Sequence, residues 1–323
     1  MRSIKLLGIP FDFGQDHFGV RMAADFLKDS GLKEKLKQIA PVRNLGNINL
    51  PFREKDSLIT HSSIKSSRQA SNANQEISRY LENEDLSDNF LLNIGGDHGM
   101  ALGTIHGILA ARPDTVVIWA DAHGDINTPE TSPTGNFHGM PLAFLLNAAR
   151  HEDFQWMKNF IRREKLILIG PRDLDQGEKD IIQKLSIQYF SSQDLNTIGA
   201  KEIIEMALHR ADPLGTCPIH LSFDVDLCDQ KDIKSTGTRV PDGPKLEEIF
   251  LLGGVLAQTG RLKSMDVVEF NPLIGSSTEV LASSELIIDF ITTTIRQVFS
   301  ESNIKHHFLL RAFTKTFLQR DSM

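Results

Sequence analysis

Residues 115–129 read TVVIWADAHGDINTP. The first half is β-rich and continuously apolar through Trp119 and Ala120, the pattern of a strand covered on both faces. The second half abruptly presents Asp121, His123 and Asp125, separated by Ala122 and Gly124, which add no bulk. A buried strand that ends in ionisable groups points to an open α/β sheet, where sites lie beyond the carboxyl ends of the strands.

Working outward, SIKLLGI (3–9), FLLNIG (90–95), KLILIG (165–170), IHLSFDVD (219–226) and SMDVVEF (264–270) read as further strands. Helical stretches around residues 73–84, 99–112, 139–162, 200–211 and 245–260 lie between them. Strand and helix in alternation predict an α/β fold with a mostly parallel sheet. The polar, Ser-rich stretch from Pro51 to about Asn74 has too little chain before it to bound a separate domain, and reads as a surface excursion entering a helix. There are no internal repeats, so residues 1–323 are expected to form a single domain.

Hydrophobic residues at 40% can fill a sizeable core, and a net charge of -7 supplies no basic field to draw in nucleic acid or an anionic membrane. No apolar run approaches the roughly 20 residues a membrane span requires. The opening MRSIKLLGIPFDFG lacks the extended apolar region of a signal peptide. With only Cys217 and Cys228, no disulfide framework is expected, and a reducing cytoplasm is the expected compartment.

Three clusters carry the chemistry. In NIGGDHG (93–99), Gly95 and Gly96 permit a close backbone approach ahead of His98. That histidine alone reads more readily as a hydrogen-bonded structural residue. In an extended chain Asp121, His123 and Asp125 would share one face. In HLSFDVDLCD (220–229), Asp224 and Asp226 pair after an apolar strand, although alone they could be a surface turn, and Asp229 reads as structural. Two carboxylates and an imidazole converging without a cation would be costly. Two histidines and four aspartates are too many for one transition metal and suit two divalent ions. The donors are oxygen-rich, include imidazole and lack thiolate, which favours manganese over structural zinc. Such a pair lowers the pKa of a bridging water, so metal-assisted hydrolysis is the expected reaction class.

The motifs GGDH (95–98), DAHGDINTP (121–129), GNFHGMP (135–141) and SFDVD (222–226), in this order, resemble the ureohydrolase family of arginases and agmatinases. The resemblance runs from IPFDFG (9–14) to VVEFNP (267–272), with arginase the better match. It implies a three-layer αβα fold around an eight-stranded parallel sheet, and a trimer or hexamer. It also implies two manganese ions, one held by His98, Asp121, Asp125 and Asp224, the other by His123, Asp121, Asp224 and Asp226. A hydroxide bridging these ions would attack the guanidinium of L-arginine, giving L-ornithine and urea. His138 matches the family's proton-shuttle histidine, Glu269 the carboxylate that pairs with the guanidinium, and Thr238 a threonine of the same pocket. Asn127, Thr134 and Asn136 correspond to donors for the substrate α-carboxylate, and Asp175 and Glu178 to the acidic pair for its α-ammonium. Thr134 stands where serine is usual and Arg239 where proline is expected. Alternatives are another guanidino substrate, such as agmatine or guanidinobutyrate, and a non-catalytic metal-binding role. A two-metal phosphate-ester hydrolase would want Lys or Arg aimed at the phosphate; Arg239 is a candidate, but Glu269 would repel such a substrate.

Overall fold

The apolar runs become strands because their alternate side chains find a helix layer on each side. In a computed structural model, which describes residues 3–53 and 64–300, Leu92 and Ile118 pack into one core, and Leu91, Val117 and Trp119 into the other. The strands are β1 (Ile4–Ile9), β2 (Val42–Asn47), β3 (Phe90–Gly95), β4 (Val116–Ala120), β5 (Leu166–Gly170), β6 (Gln188–Ser191), β7 (Ile219–Asp224) and β8 (Leu262–Val268). They form one parallel eight-stranded sheet in the order β2-β1-β3-β8-β7-β4-β5-β6.

The helices are α1 (Ala23–Leu27), α2 (Lys33–Lys37), α3 (Ser67–Glu82), α4 (Ala101–Ala111), α5 (Pro141–Leu145), α6 (Gln176–Leu185), α7 (Ser192–Thr197), α8 (Ala200–Ala211), α9 (Leu246–Gln258) and α10 (Ser277–Val298). One face of the sheet is covered by α1, α2 and α7 to α10. The other is covered by α3 to α6. Two separate apolar cores, one per face, make the architecture three-layered. No helix among the described residues is long and apolar enough to cross a membrane.

The sequence reading missed the two outer strands, for a common reason. An edge strand has a neighbour on one side only, so β2 and β6 are half-buried and polar and lack a continuous apolar run. The helix expected over 139–162 is also corrected. Helix α5 stops at Leu145, Asn147 takes a left-handed φ of 55°, and a 3-10 turn at Glu152–Phe154 follows. The apolar residues there do pack, but through loop contacts. Of the expected surface excursion from Pro51, residues 54–63 lie outside the described residues, and α3 begins at Ser67.

Candidate metal centre

Four adjacent strands of the sheet middle, β3, β8, β7 and β4, each deliver polar side chains at their carboxyl ends. After β3 the chain turns through Gly96, where a Cβ would lie 1.7 Å from Phe11 O, so only glycine allows the approach. Asp97 then caps a 3-10 turn, accepting from Gly99 N at 3.0 Å, and His98 opens that turn. Asp121 follows β4. Asp224 ends β7 and accepts from Asp226 N at 2.8 Å, which winds Val225–Leu227 into a second 3-10 turn. Glu269 leaves β8 with a φ of 68°.

Asp121, His123 and Asp125 do not lie along a strand face, which corrects the extended reading. Strand β4 stops at Ala120 because the Asp121 carboxylate accepts from His123 N at 2.7 Å, and Asp125 turns left-handed with a φ of 50°. The side chains still converge, but toward two different partners. One group is His98, Asp121 and Asp125, and the other is Asp121, His123 and Asp226. Asp121 belongs to both.

His98 Nδ1 lies 2.9 Å from Asp121 Oδ2, 3.1 Å from Asp125 Oδ2 and 3.2 Å from Asp224 Oδ2. Donor atoms at right angles around one ion, each about 2.0–2.2 Å from it, stand about 3 Å apart. The other ring nitrogen, Nε2, lies 2.8 Å from Ser222 Oγ; with the ring proton on Nε2, Nδ1 would offer its lone pair to a cation shared with the three carboxylate oxygens. That buried atom has no hydrogen-bond partner among the described residues. A divalent cation is what such a cage fits. In the second group His123 Nδ1 lies 3.4 Å from Asp121 Oδ1 and 3.2 Å from Asp226 Oδ2, so the two oxygens of Asp121 point to different groups. Asp224 is brought to His98, while its Oδ1 takes the Asp226 N–H.

The electrostatics carry the same message. Burial pushes the Asp125 carboxyl up to about 7, with the Asp121 charge adding to the shift. Asp224 is raised well above the usual range by burial and by Asp226 and Asp121. Burial acts to lower the His98 pKa, but Asp121, Asp125 and Asp224 outweigh it and raise it well above its ordinary value. Crowded buried acids leave the protein short of positive charge, and divalent cations supply it.

Beside this cage, Glu269 Oε1 meets His138 Nδ1 at 3.0 Å and accepts from His98 N at 2.9 Å, while Oε2 accepts from Gln15 Nε2 at 2.5 Å. Burial works against the His138 imidazolium, yet the Glu269 carboxylate dominates and raises its pKa to about 9. Thr238 Oγ1 donates to Asp226 Oδ2 at 2.8 Å. Asp175 and Glu178 form the capping box at the start of α6, and burial pushes Glu178 up to about 8. Asn127 sits against them, its Nδ2 donating to Asp175 Oδ2 at 2.7 Å. Thr134 is exposed, and Asn136 Oδ1 accepts from Lys65 Nζ at 2.9 Å.

Residues 2–292 match the Arginase family. The chain belongs to the arginase family. It is 35% identical over 298 residues to an arginase of Schizosaccharomyces pombe, covering 91% of this chain and 92% of that one. The crystal structure of arginase from Bacillus caldovelox is similar with a TM-score of 0.84 at 30% identity, covering 93% of this chain and 99% of that chain. That of Entamoeba histolytica arginase in complex with L-ornithine gives 0.81 at 32% identity, covering 92% and 98%. The protein is an arginase-like hydrolase, and the three-layer fold expected from the resemblance is the fold found.

Several residues around this arginase-family site went unread in the sequence. Trp119 stacks on His98 with ring centroids 3.8 Å apart and donates from Nε1 to Asp121 Oδ2 at 3.0 Å. Its place two residues before Asp121 on a buried strand was the available signal. Ser222 had the same signal relative to Asp224. Arg172 offered none, because its partners are backbone carbonyls and the Ser192 hydroxyl. Its guanidinium donates to Asp226 O at 2.9 Å, Leu227 O at 3.1 Å, Cys228 O at 3.1 Å, Val240 O at 3.0 Å and Pro241 O at 2.9 Å. One side chain thus fastens the strap that follows Asp226, including Thr238 and Arg239.

Proposed function

We propose that the protein hydrolyses L-arginine to L-ornithine and urea with two manganese ions bound. The reading is carried by the meeting of His98 Nδ1 with three carboxylate oxygens within 3.2 Å. His98, Asp121, Asp125 and Asp224 would hold one ion, and His123, Asp121, Asp224 and Asp226 the other. Oxygen and imidazole donors without thiolate favour manganese, and burial pushes the nearby Cys228 thiol up, away from thiolate. When bound, such a pair lowers the pKa of water toward neutrality and so supplies hydroxide.

The chain's own groups do the rest. Glu269 receives the guanidinium as a buried carboxylate whose charge the two histidine contacts and Gln15 hold in place. His138 is tied at Nδ1, which leaves Nε2 to pass a proton to the departing amine. The Glu269 carboxylate at Nδ1 favours the protonated form suited to that task. Thr238 donates to Asp226 Oδ2, the oxygen that also lies 3.2 Å from His123 Nδ1, and so orients that ligand. The two α-groups of the substrate would be met by different residues. Asp175 and Glu178 would face the α-ammonium. Asn127, Thr134 and Asn136, the last with the Lys65 ammonium against its Oδ1, would face the α-carboxylate.

Urea release across L-arginine, agmatine and guanidinobutyrate, with manganese-loaded and chelator-treated protein, tests the proposal. L-arginine should be strongly preferred and chelation should abolish turnover. Equal rates for agmatine would refute the α-carboxylate contacts, and chelator-resistant turnover would refute the metal chemistry.

A further inference from the structure

The acceptor sites of Glu269 can be counted. Oε1 is engaged by His98 N and His138 Nδ1, and Oε2 by Gln15 Nε2. A carboxylate offers about four lone-pair sites, so Oε2 keeps one. A guanidinium presents its N–H groups as a planar fork, and one remaining site answers only one prong.

A second acceptor stands beside it. Gln15 is 3% exposed, its Nε2 is committed to Glu269, and its Oε1 has no hydrogen-bond partner among the described residues. The amide orientation is fixed by chemistry, because only the NH2 end can face a carboxylate oxygen. A buried acceptor left unpaired is costly, and such atoms call for a ligand to explain them. The residue is also held rigidly. Arg53 Nη1 donates to the Gln15 carbonyl and its guanidinium lies 4.5 Å over the Phe18 ring, while Gly14 N donates to Asp97 Oδ2 at 2.8 Å. Oε1 is aimed toward Gly237, where a Cβ would come within 3.0 Å of it. Gly237 precedes Thr238, whose hydroxyl reaches Asp226. The orphaned oxygen therefore lies between Glu269 and the strap that carries Thr238.

We infer that Gln15 is a substrate-binding residue, whose Oε1 accepts a guanidinium N–H next to the one accepted by Glu269 while Nε2 holds that carboxylate in register. Amide and carboxylate together read the fork. The inference rests on the arginine-hydrolase reading. It also separates substrate from product, since L-ornithine has no guanidinium for Oε1 to recognise.

The test compares L-arginine and L-ornithine binding to metal-free wild type and Gln15→Met by calorimetry, where no turnover intervenes. Arginine should bind about tenfold or more weakly to the variant while ornithine is unchanged. The loaded variant should show a matching rise in KM for L-arginine with its manganese content intact. Unchanged arginine affinity, or equal loss for both ligands, would overturn the inference. If Gln15→Met is not recovered folded, Gln15→Asn, which withdraws the amide by one methylene, must show the same one-sided loss. Wild-type urea release is measured alongside. Its absence would count against the arginine-hydrolase reading, whereas normal release with no arginine-specific loss counts against Gln15 alone.

Discussion

Replacing Arg172 with alanine offers a quantitative probe of how the metal-side strap is held. Three of its carbonyl partners belong to Asp226, Leu227 and Cys228, which are 1%, 0% and 5% exposed, so water cannot readily replace the lost donor. The other two, on Val240 and Pro241, lie in half-exposed and exposed positions and can be rehydrated. Each buried carbonyl left without a donor costs about 1–3 kcal/mol. Counting only those three gives a loss of at least about 3 kcal/mol, a large share of the roughly 5–15 kcal/mol by which domains are stable. Arg172→Lys keeps the charge but cannot span the set with its compact ammonium, and should lose about half as much. Urea-induced unfolding of chelator-treated protein reads the effect without the linkage from bound ions. A loss below about 1 kcal/mol for Arg172→Ala would refute the claim that the carbonyl nest holds the strap.

Three further outcomes follow from the geometry. Asp121→Asn should weaken manganese at both positions by more than about 100-fold, because Asp121 belongs to both ligand groups, whereas His123→Asn should spare one ion per chain in elemental analysis. His138→Asn should lower kcat by about 10²–10⁴ with metal content unchanged, and a loss of manganese instead would make it a structural residue. Glu279, held down to about 2 by the Ser276 backbone N–H, by Lys234 and by the Ser276 hydroxyl, has a depressed folded pKa. Its contribution to the start of α10 is therefore full above the ordinary glutamate range and disappears as pH falls toward about 2. Glu279→Gln should flatten that acid slope in thermal melts, and parallel slopes for variant and wild type would rule the linkage out.

The sheet centre was legible because β3, β4, β5, β7 and β8 are covered on both faces, and complete burial writes an apolar run into the sequence. The edges were not, since β2 and β6 need only half-buried side chains. The ligand types were readable as acids and histidines just past apolar runs. Their grouping came from the family resemblance and not from spacing: it depends on the left-handed Asp125 and on the Asp121 and Asp224 turns, in which each carboxylate accepts from a backbone N–H two residues on. Asp175 and Glu178 were legible as an acidic pair, but their capping of α6 shows that they also serve the helix. Gln15 and Arg172 stayed invisible because a glutamine or arginine in a loop carries no periodic signal. Arg239 is exposed, and nothing in the structure assigns it a contact that explains its place in the strap.

The strand order also bears on how the protein is made. Strand β8 is the last of the described strands yet sits between β3 and β7, pairing Leu91 with Ser264 on one side and Leu221 with Met265 on the other. Until it leaves the ribosome, the nascent polypeptide can assemble only two part-sheets, β2-β1-β3 and β7-β4-β5-β6, each with a bare edge open to wrong pairing. His98 belongs to the first and Asp121 and Asp224 to the second. Strand β8 zips these halves together, so the cage that would receive metal closes only after β8 itself has been made.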